Sequence, residues 1–340
     1  MRREQQKPWD CEITFEDFIK GFERWDERTS TSPSGRHLGV YKSLIIAMRN
    51  RNEEFSINDK NKKSVQNKAK NILHVIYMLA VKTMENGLHL KRWQQVVAIM
   101  IYKKARNIEI ENLRIIDLFE ADFNLLIGII FGRRAMYNQI QNGSIHKDQH
   151  GRPGGECQDV IFTKLQHYLF SNLTKSPMGH FESDAASCFD RIVMEMAFTC
   201  FKNGGANVKP IQMWENTLQN ARHYVKTAYG TSKICHRNTP ETPIIGPGQG
   251  SRGAVAACAS TTSVAIKAYE KLAKGFFSTN PRYTITYESK IKMFVDDASK
   301  YTNMFHLWIK EIPSIETVTQ QLRKEAQIWE RCLWTSGGLL

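Results

Sequence analysis

The chain has 340 residues, 41% of them hydrophobic and 24% charged, so it can bury the core of one large domain or two subdomains. Its formal net charge of +13 favours a polyanionic partner, because Lys and Arg displace counterions from phosphates, although an ordinary basic protein is the plainer alternative. Seven scattered cysteines without a Cys-x-x-Cys spacing argue against a disulfide framework or a zinc site.

The sequence also argues against membrane insertion. No segment reaches the roughly 18 to 20 apolar residues of a membrane span, and the polar N-terminus lacks the apolar core of a signal peptide. We therefore expect a soluble intracellular protein, in the cytoplasm or nucleus, without a membrane partner.

Apolar periodicity and β-branched runs predict the secondary structure in chain order. The predicted helices cover 12–27, 65–86, 122–140, 156–173, 194–202, 209–221, 254–274 and 315–333. The predicted strands cover 96–102, 178–183, 223–229, 232–236, 283–287 and 291–295. This pattern predicts an α+β fold in which an antiparallel sheet is backed by helices.

Three aspartates follow predicted strands. Asp296 and Asp297 come after the apolar run Ile291–Val295, and Asp184 follows a second short extended stretch. A few carboxylates together with substrate phosphates suffice to hold Mg²⁺. Taken separately, each aspartate is more often a turn or capping residue. Taken together, they suit a two-metal nucleotidyl transfer, in which one ion activates a 3′-hydroxyl and the other holds a triphosphate.

Several motifs in a fixed order resemble the reverse transcriptase domain of retroelements, most closely the non-LTR or group II intron type, from about Trp93 to Leu340. They are Ile101-Tyr102-Lys103, Leu113 to Asp117, Gln149 to Gly154, Asp184 to Asp190, Gly248 to Ser251 and Phe294 to Asp297. The resemblance implies RNA-directed DNA polymerase activity in the fingers and palm of a right-hand polymerase. It also implies two Mg²⁺ ions, for which Mn²⁺ can substitute, and an RNA template, a DNA primer and dNTPs as partners.

The same resemblance assigns roles to individual residues. Asp184, Asp296 and Asp297 would be the catalytic residues and metal ligands. Four residues would bind the nucleotide: Lys103 and Arg114 at the triphosphate, Phe189 as the gate against a ribose 2′-hydroxyl, and Gln249 against the nascent base pair. Gln149, Gly151 and Arg152 would line the template path. Without the family, Lys103 and Arg114 would be ordinary surface residues and Phe189 a core residue.

The family pattern predicts a helical N-terminal extension over 1–90, fingers over 91–178, and a palm with fingers-like insertions over 179–340. The chain ends within Trp334 to Leu340, before the lysine of the motif that follows the Asp-Asp hairpin, and we expect the thumb to be absent. The sequence thus resembles a C-terminally truncated piece of a longer retroelement protein whose thumb, and any endonuclease or RNase H region, lies elsewhere.

Two other functions stay open. The chain could be a catalytically incomplete fragment that retains only nucleic-acid binding, because the thumb and terminal lysine are absent. It could also be an RNA-dependent RNA polymerase, but enzymes that make RNA commonly carry a polar residue where this chain has Phe189.

Overall fold

A computed structural model describes residues 9–26, 34–49, 59–103, 109, 113–185, 188–227, 229–239, 241, 246–280, 282, 284–304 and 312–337, without the side chains of 59 and 60. Within these ranges, no helix combines the length and the apolar character needed to cross a membrane.

Eleven helices and nine strands occupy the described ranges. The helices are α1 (Phe15–Glu23), α2 (Leu38–Arg49), α3 (Asp59–Glu85), α4 (Ala121–Ile129), α5 (Met136–Gln141), α6 (Cys157–Thr174), α7 (Cys188–Arg191), α8 (Met194–Asn203), α9 (Val208–Gln219), α10 (Ala254–Leu272) and α11 (Ile315–Thr335). The strands are β1 (Gln95–Tyr102), β2 (Leu113–Leu118), β3 (Gly179–Ser183), β4 (Arg222–Thr227), β5 (Gly230–Arg237), β6 (Phe276–Thr279), β7 (Thr286–Ser289), β8 (Ile291–Phe294) and β9 (Asp297–Thr302). A 3₁₀ turn (Lys91–Gln94) precedes β1, and a π-helical segment (Ile130–Ala135) joins α4 to α5.

The chain folds into two compact units, each made of two separate stretches of sequence. The first unit comprises Met1–Ala135 and Gly205–Ala254, and the second comprises Met136–Gly204 and Val255–Leu340. The predicted boundaries after residues 90 and 178 do not coincide with these, and the assignment of fingers and palm stays a prediction.

The first unit is built around a four-stranded sheet in the order β2-β1-β4-β5. β1 runs parallel to β4, whereas the β1–β2 and β4–β5 pairs are antiparallel. Helix α1 begins with a capping box in which Thr14 and Asp17 bond each other's backbone N–H groups. Phe18 and Phe22, one turn apart, then bury their side chains completely.

The second unit is built around a three-stranded antiparallel sheet in the order β3-β9-β8, with a separate β6–β7 pair. Helices α10 and α11 pack against this sheet. Their residues form one buried cluster with the strands: Ala265, Ile266, Tyr269, Ala273, Ile291, Met293, Ala298, Trp329, Cys332 and Leu333. The predicted α+β class, with an antiparallel sheet carrying the carboxylates and helices packed behind it, is confirmed.

Five of the described helices and strands were not predicted, namely α2, α7, β2, β6 and β9. β9 is the most instructive, because its polar residues Ser299, Lys300 and Thr302 are buried, which conceals the usual alternation of apolar and polar side chains. The strand predicted at 283–287 is wrong in position. β7 occupies Thr286–Ser289, where it pairs with β6.

Candidate active site

A two-residue turn carries the first carboxylate. β8 and β9 pair with Phe294 opposite Asp297, so Val295 and Asp296 form the turn between them. Two-residue hairpin turns need a positive φ at their first residue, which is why glycine or asparagine usually occupies it. Here that residue is Val295, with φ of 60°. A β-branched residue in this region is strained, at a cost of order 1–3 kcal/mol.

Asp184 and Asp297 meet at the end of the neighbouring strand pair. The last pair between β3 and β9 is Ser183 with Ala298, so one further step along both chains sets Asp184 opposite Asp297. Partial burial, and then the negative charges of Asp184 and Glu182, raise the pKa of Asp297. A cation beside these carboxylates would relieve the repulsion that the raised pKa reports.

The three aspartates do not form a compact ligand group. Within the described ranges, one set of potential ligands brings an atom of each member within 4.8 Å of the others, and that set is His146, Asp148 and Glu270. A two-ion site does not require such a set, because its ions stand about 3.5–4 Å apart and the ligands divide between them.

The His146 set is already paired within the protein. His146 Nε2 lies 2.9 Å from Glu270 Oε2, and the Asp148 backbone N–H donates to His146 Nδ1 over 3.2 Å. Lys292 Nζ forms an ion pair with the Asp148 carboxylate. Because Lys292 supplies the positive charge that a metal would bring, this cluster is a structural network of the second unit.

The side chain of Gln149 holds the strained turn at both of its backbone groups. Its Nε2 donates to Val295 O over 3.1 Å, and its Oε1 accepts from Val295 N over 3.1 Å. The same amide donates to Thr262 Oγ1 at 2.8 Å and accepts from Gly151 N at 2.8 Å. Gln149 is fully buried. Its predicted role in the template path stays a prediction.

The segment around Gln149 runs alongside β8. Gln149 forms a parallel bridge with Met293, the His150 N–H donates to Met293 O at 2.6 Å, and the Met293 N–H donates to Asp148 O at 2.9 Å. Gly151 then passes close to the turn, where an added Cβ would stand 2.7 Å from Val295 N. Glycine is needed here because of close approach to the hairpin.

Two thiols lie behind the turn. Cys258 of α10 is fully buried, with its Sγ 3.7 Å from Cys188 Sγ and 3.7 Å from Val295 O. The hydrogen bond with Cys188, burial and the charge of Asp296 raise the pKa of Cys258 well above its usual value. Cys258 is therefore a neutral thiol that packs against the turn.

The residues predicted to bind the triphosphate and the base pair belong to the first unit. Lys103 directly follows β1 and is exposed, and Arg114 is exposed on β2 opposite Ile101. Both therefore stand at the same end of the β1–β2 pair. Gln249 O accepts from Asp117 N at 2.7 Å, which anchors the glycine-rich loop beside β2.

The remaining predicted residues lie in the second unit. Phe189 is half-buried on α7. Arg152 is partly exposed, and its guanidinium donates to Lys147 O at 3.3 Å. The structure thus brings Gln149 and Gly151 to the Asp296 turn and Asp184 to Asp297.

Sequence analysis missed the residues that support the turn from α10, Cys258 and Thr262. Nothing in the local pattern of a small-residue helix distinguishes them, because their contacts with Val295 and Gln149 are made across long stretches of chain. The strain at Val295 was missed as well, since a valine in a strand-like run predicts extended backbone.

Neither protein-family models nor curated proteins match this chain. Among solved structures, it is similar to telomerase from Candida albicans, determined in complex with a TWJ fragment of telomeric RNA. The identity is 12% and the TM-score 0.44, and the match covers 72% of this chain and 40% of that chain. Similarity of this degree identifies no activity, so the function rests on the residues themselves.

Proposed function

We propose that this chain is an RNA-directed DNA polymerase domain that adds dNTPs to a primer 3′-hydroxyl on an RNA template. One observation carries the proposal: Asp184 and Asp297 stand opposite each other at the ends of neighbouring strands, beside the turn that bears Asp296. Burial, and then the negative charges of Asp184 and Glu182, raise the pKa of Asp297, and a bound cation would offset both effects.

The three aspartates would hold two Mg²⁺ ions, with Mn²⁺ as a substitute. The donor set fits hard cations, because it consists of carboxylate oxygens whose mutual repulsion a cation would reduce. When bound, the ions would make the primer hydroxyl nucleophilic and neutralise the triphosphate. Asp184 and Asp297 would fix their ligand oxygens from two paired strands, and Asp296 would contribute from the turn.

Residues outside this cluster would bind the substrates. Lys103 and Arg114 suit triphosphate oxygens, the first as a point charge and the second as a planar fork. Phe189 would crowd a ribose 2′-hydroxyl, and Gln249 would contact the nascent base pair. Arg152 is the partly exposed candidate for the template path.

The charge of the chain supports a nucleic-acid partner. A formal net charge of +13 suits an RNA template with an annealed DNA primer. The order of the motifs further supports an origin in a retroelement of the non-LTR or group II intron type.

Primer extension tests the proposal. We would measure dNTP incorporation on an annealed RNA template and DNA primer with Mg²⁺ or Mn²⁺, comparing wild type with the double variant Asp296→Asn, Asp297→Asn. Incorporation should fall by at least 100-fold in the variant, a loss typical of essential electrostatic groups. Folding should be unimpaired, because the substitution removes like charges.

Glu316→Gln is the matched control, since it also neutralises an exposed carboxylate of the second unit, on α11. Equal incorporation by wild type and the double variant would overturn the polymerase proposal.

Substitution of Phe189 by Ala should raise rNTP incorporation relative to dNTP. An unchanged preference would remove Phe189 from the sugar gate and favour the RNA-polymerase alternative if rNTPs are used.

A second candidate is nucleic-acid binding without catalysis. The formal net charge of +13 supports it, because Lys and Arg bind phosphates whether or not the carboxylates hold ions. Measuring the binding of the annealed RNA template and DNA primer (the hybrid) in the same samples separates the two functions. A fragment that only binds would bind the hybrid and incorporate no dNTP with either metal.

A further inference from the structure

We propose that Gln149 is a positioning residue for the carboxylates of Asp296 and Asp297. In this role, its amide keeps Val295 in the left-handed conformation that directs the turn, and it does not contact the template. The inference rests on the proposed function, since it names what prepares that site for its metal ions.

The first argument is that the amide has no hydrogen-bonding capacity left for a ligand. A glutamine amide offers two donors and accepts at two oxygen lone pairs. In Gln149 the donors go to Val295 O and Thr262 Oγ1, and the oxygen accepts from Val295 N and Gly151 N. Since the side chain is also fully buried, a template base or phosphate cannot reach it.

The second argument is the place where the amide acts. Val295 has φ of 60°, and both of its backbone polar groups bond to the same side chain. A strained residue persists only where its surroundings over-determine it. Gln149 does this at the residue directly before Asp296, so the clamp sets the direction in which the carboxylates leave the turn.

The third argument is that the clamp is itself held in place. The backbone on either side of Gln149 bonds to Met293 of β8, at His150 N and Asp148 O. Gly151 follows at a distance that admits no side chain. Gln149 is thus fixed to the same hairpin whose turn it holds, and hydrogen-bond partners held in this way orient metal ligands.

The test replaces Gln149 by Met, which keeps the length of the side chain and removes every hydrogen bond of the amide. The matched control is Gln139→Met. Gln139 is also a buried glutamine of the second unit, but its amide bonds to Cys200 O and Ser260 Oγ, away from the turn. Both variants lose a satisfied buried amide, so a merely structural role predicts equal effects.

Hydrogen exchange provides a readout that needs no activity. Exchange at the Val295 amide should be at least 10-fold faster in Gln149→Met than in wild type, and unchanged in Gln139→Met. If the wild type incorporates dNTPs, Gln149→Met should lower kcat by about 10- to 100-fold and raise the Mg²⁺ requirement, as the loss of a group that orients metal ligands does. Hybrid affinity should stay within twofold.

A double variant distinguishes a clamp on Val295 from direct binding of the template. Gly at position 295 adopts a positive φ without a clamp, so Gln149→Met, Val295→Gly should recover part of the kcat lost in Gln149→Met alone. If Gln149 bound the template instead, the second substitution would restore nothing and hybrid affinity would fall. Either result would overturn the inference, as would unchanged exchange at Val295.

The outcomes also separate this inference from the proposed function. If wild type incorporates no dNTP but Val295 still exchanges faster in Gln149→Met, the proposed polymerase function is contradicted and the clamp is supported. The effect of the clamp on the carboxylates is then measured as Mn²⁺ affinity. The Mn²⁺ affinity should be at least 10-fold lower in Gln149→Met than in wild type. Equal affinity in the two proteins, or no Mn²⁺ binding by wild type, would overturn the inference that Gln149 positions the carboxylates.

Discussion

Gly151 approaches Val295 so closely that a Cβ at position 151 would lie 2.7 Å from the Val295 nitrogen and 2.8 Å from its Cγ2. Backbone cannot yield as a flexible side chain does, so Gly151→Ala should lower the free energy of unfolding by about 1–3 kcal/mol. Urea unfolding measures this change.

Gly154→Ala is the control for that substitution, because it lies in the same loop, has φ of 80° and has open space around its Cα. It should cost only about 1 kcal/mol of backbone strain and leave the Val295 amide protected from exchange. Faster exchange in Gly154→Ala than in Gly151→Ala would contradict the proposed contact.

Lys300 should make stability depend on pH. It is fully buried on β9, where its ammonium lies 4.5 Å from the centre of the Phe181 ring and 4.7 Å from that of Trp329, and bonds to Ala298 O at 3.0 Å. The rings favour the charged form, but burial dominates and lowers the pKa of Lys300 from 10.5 to about 6.

Between these two pKa values the unfolded chain binds a proton that the folded chain does not. The free energy of unfolding should therefore rise with pH from about 6 to 10.5, by up to about 1.4 kcal/mol per unit. Urea unfolding between pH 6.5 and 8.5 should show this slope in wild type and in the exposed control Lys324→Met, and lose it in Lys300→Met. A slope retained in Lys300→Met would exclude this lysine as its source.

His167 should make stability depend on pH in the acid range. It is almost fully buried, its ring stacks on Phe276 at 4.1 Å, and neither ring nitrogen has a hydrogen-bond partner among the residues that the structure describes. Burial, then the charges of Lys292 and His180, lower the pKa of His167 from 6.5 to about 4. The unfolded chain therefore binds the extra proton in this window, and stability should fall as pH drops from 6.5 towards 4.

Phe at position 167 fits the same stack without a titrating group. His167→Phe should therefore unfold with a shallower loss of stability below pH 6.5, whereas the exposed control His236→Phe should follow wild type. Thermal unfolding at pH 5 and pH 7 compares them, and parallel pH profiles for all three proteins would refute the assignment.

Arg92 should be among the costliest charges to remove in the first unit. Its guanidinium bonds to Glu120 Oε2 at 3.0 Å and to both Asp122 oxygens, and the two carboxylate side chains are fully buried. Arg92→Met removes the guanidinium from both buried carboxylates and should cost about 3–5 kcal/mol. Lys82→Met breaks an exposed pair with Glu85, which solvent screens, and should lower stability far less. Similar losses in urea unfolding would contradict this ranking.

Local patterns were sufficient to predict much of the fold. β1 is a β-branched run, α10 is a long run of small residues, and α11 has helical periodicity, so each could be predicted without knowing its neighbours. β9 could not be predicted in this way. Its burial of Lys300 depends on the rings of Phe181 and Trp329, which reach it from other parts of the chain.

The candidate site likewise contains residues that the sequence could predict and a contact that it could not. Asp296 and Asp297 stand out because two carboxylates directly follow an apolar strand, and Asp184 could be matched to them by motif order. The clamp at Gln149 could not be predicted, since motif order placed that residue beside the template and only the fold shows its amide on Val295. Long-range hydrogen bonds leave no periodic trace in a sequence.

The parallel pairing of β1 with β4 should keep the first unit together after proteolytic cleavage of the chain. The chain leaves the first unit after Ala135 and returns to it at Gly205, then leaves again after Ala254. A protease nick between Gly204 and Gly205 would put β1 and β4 on different fragments, yet their ladder would still hold the fragments together. The two pieces should thus behave as complementing halves that associate noncovalently, whereas neither piece contains all the strands of either unit's main sheet.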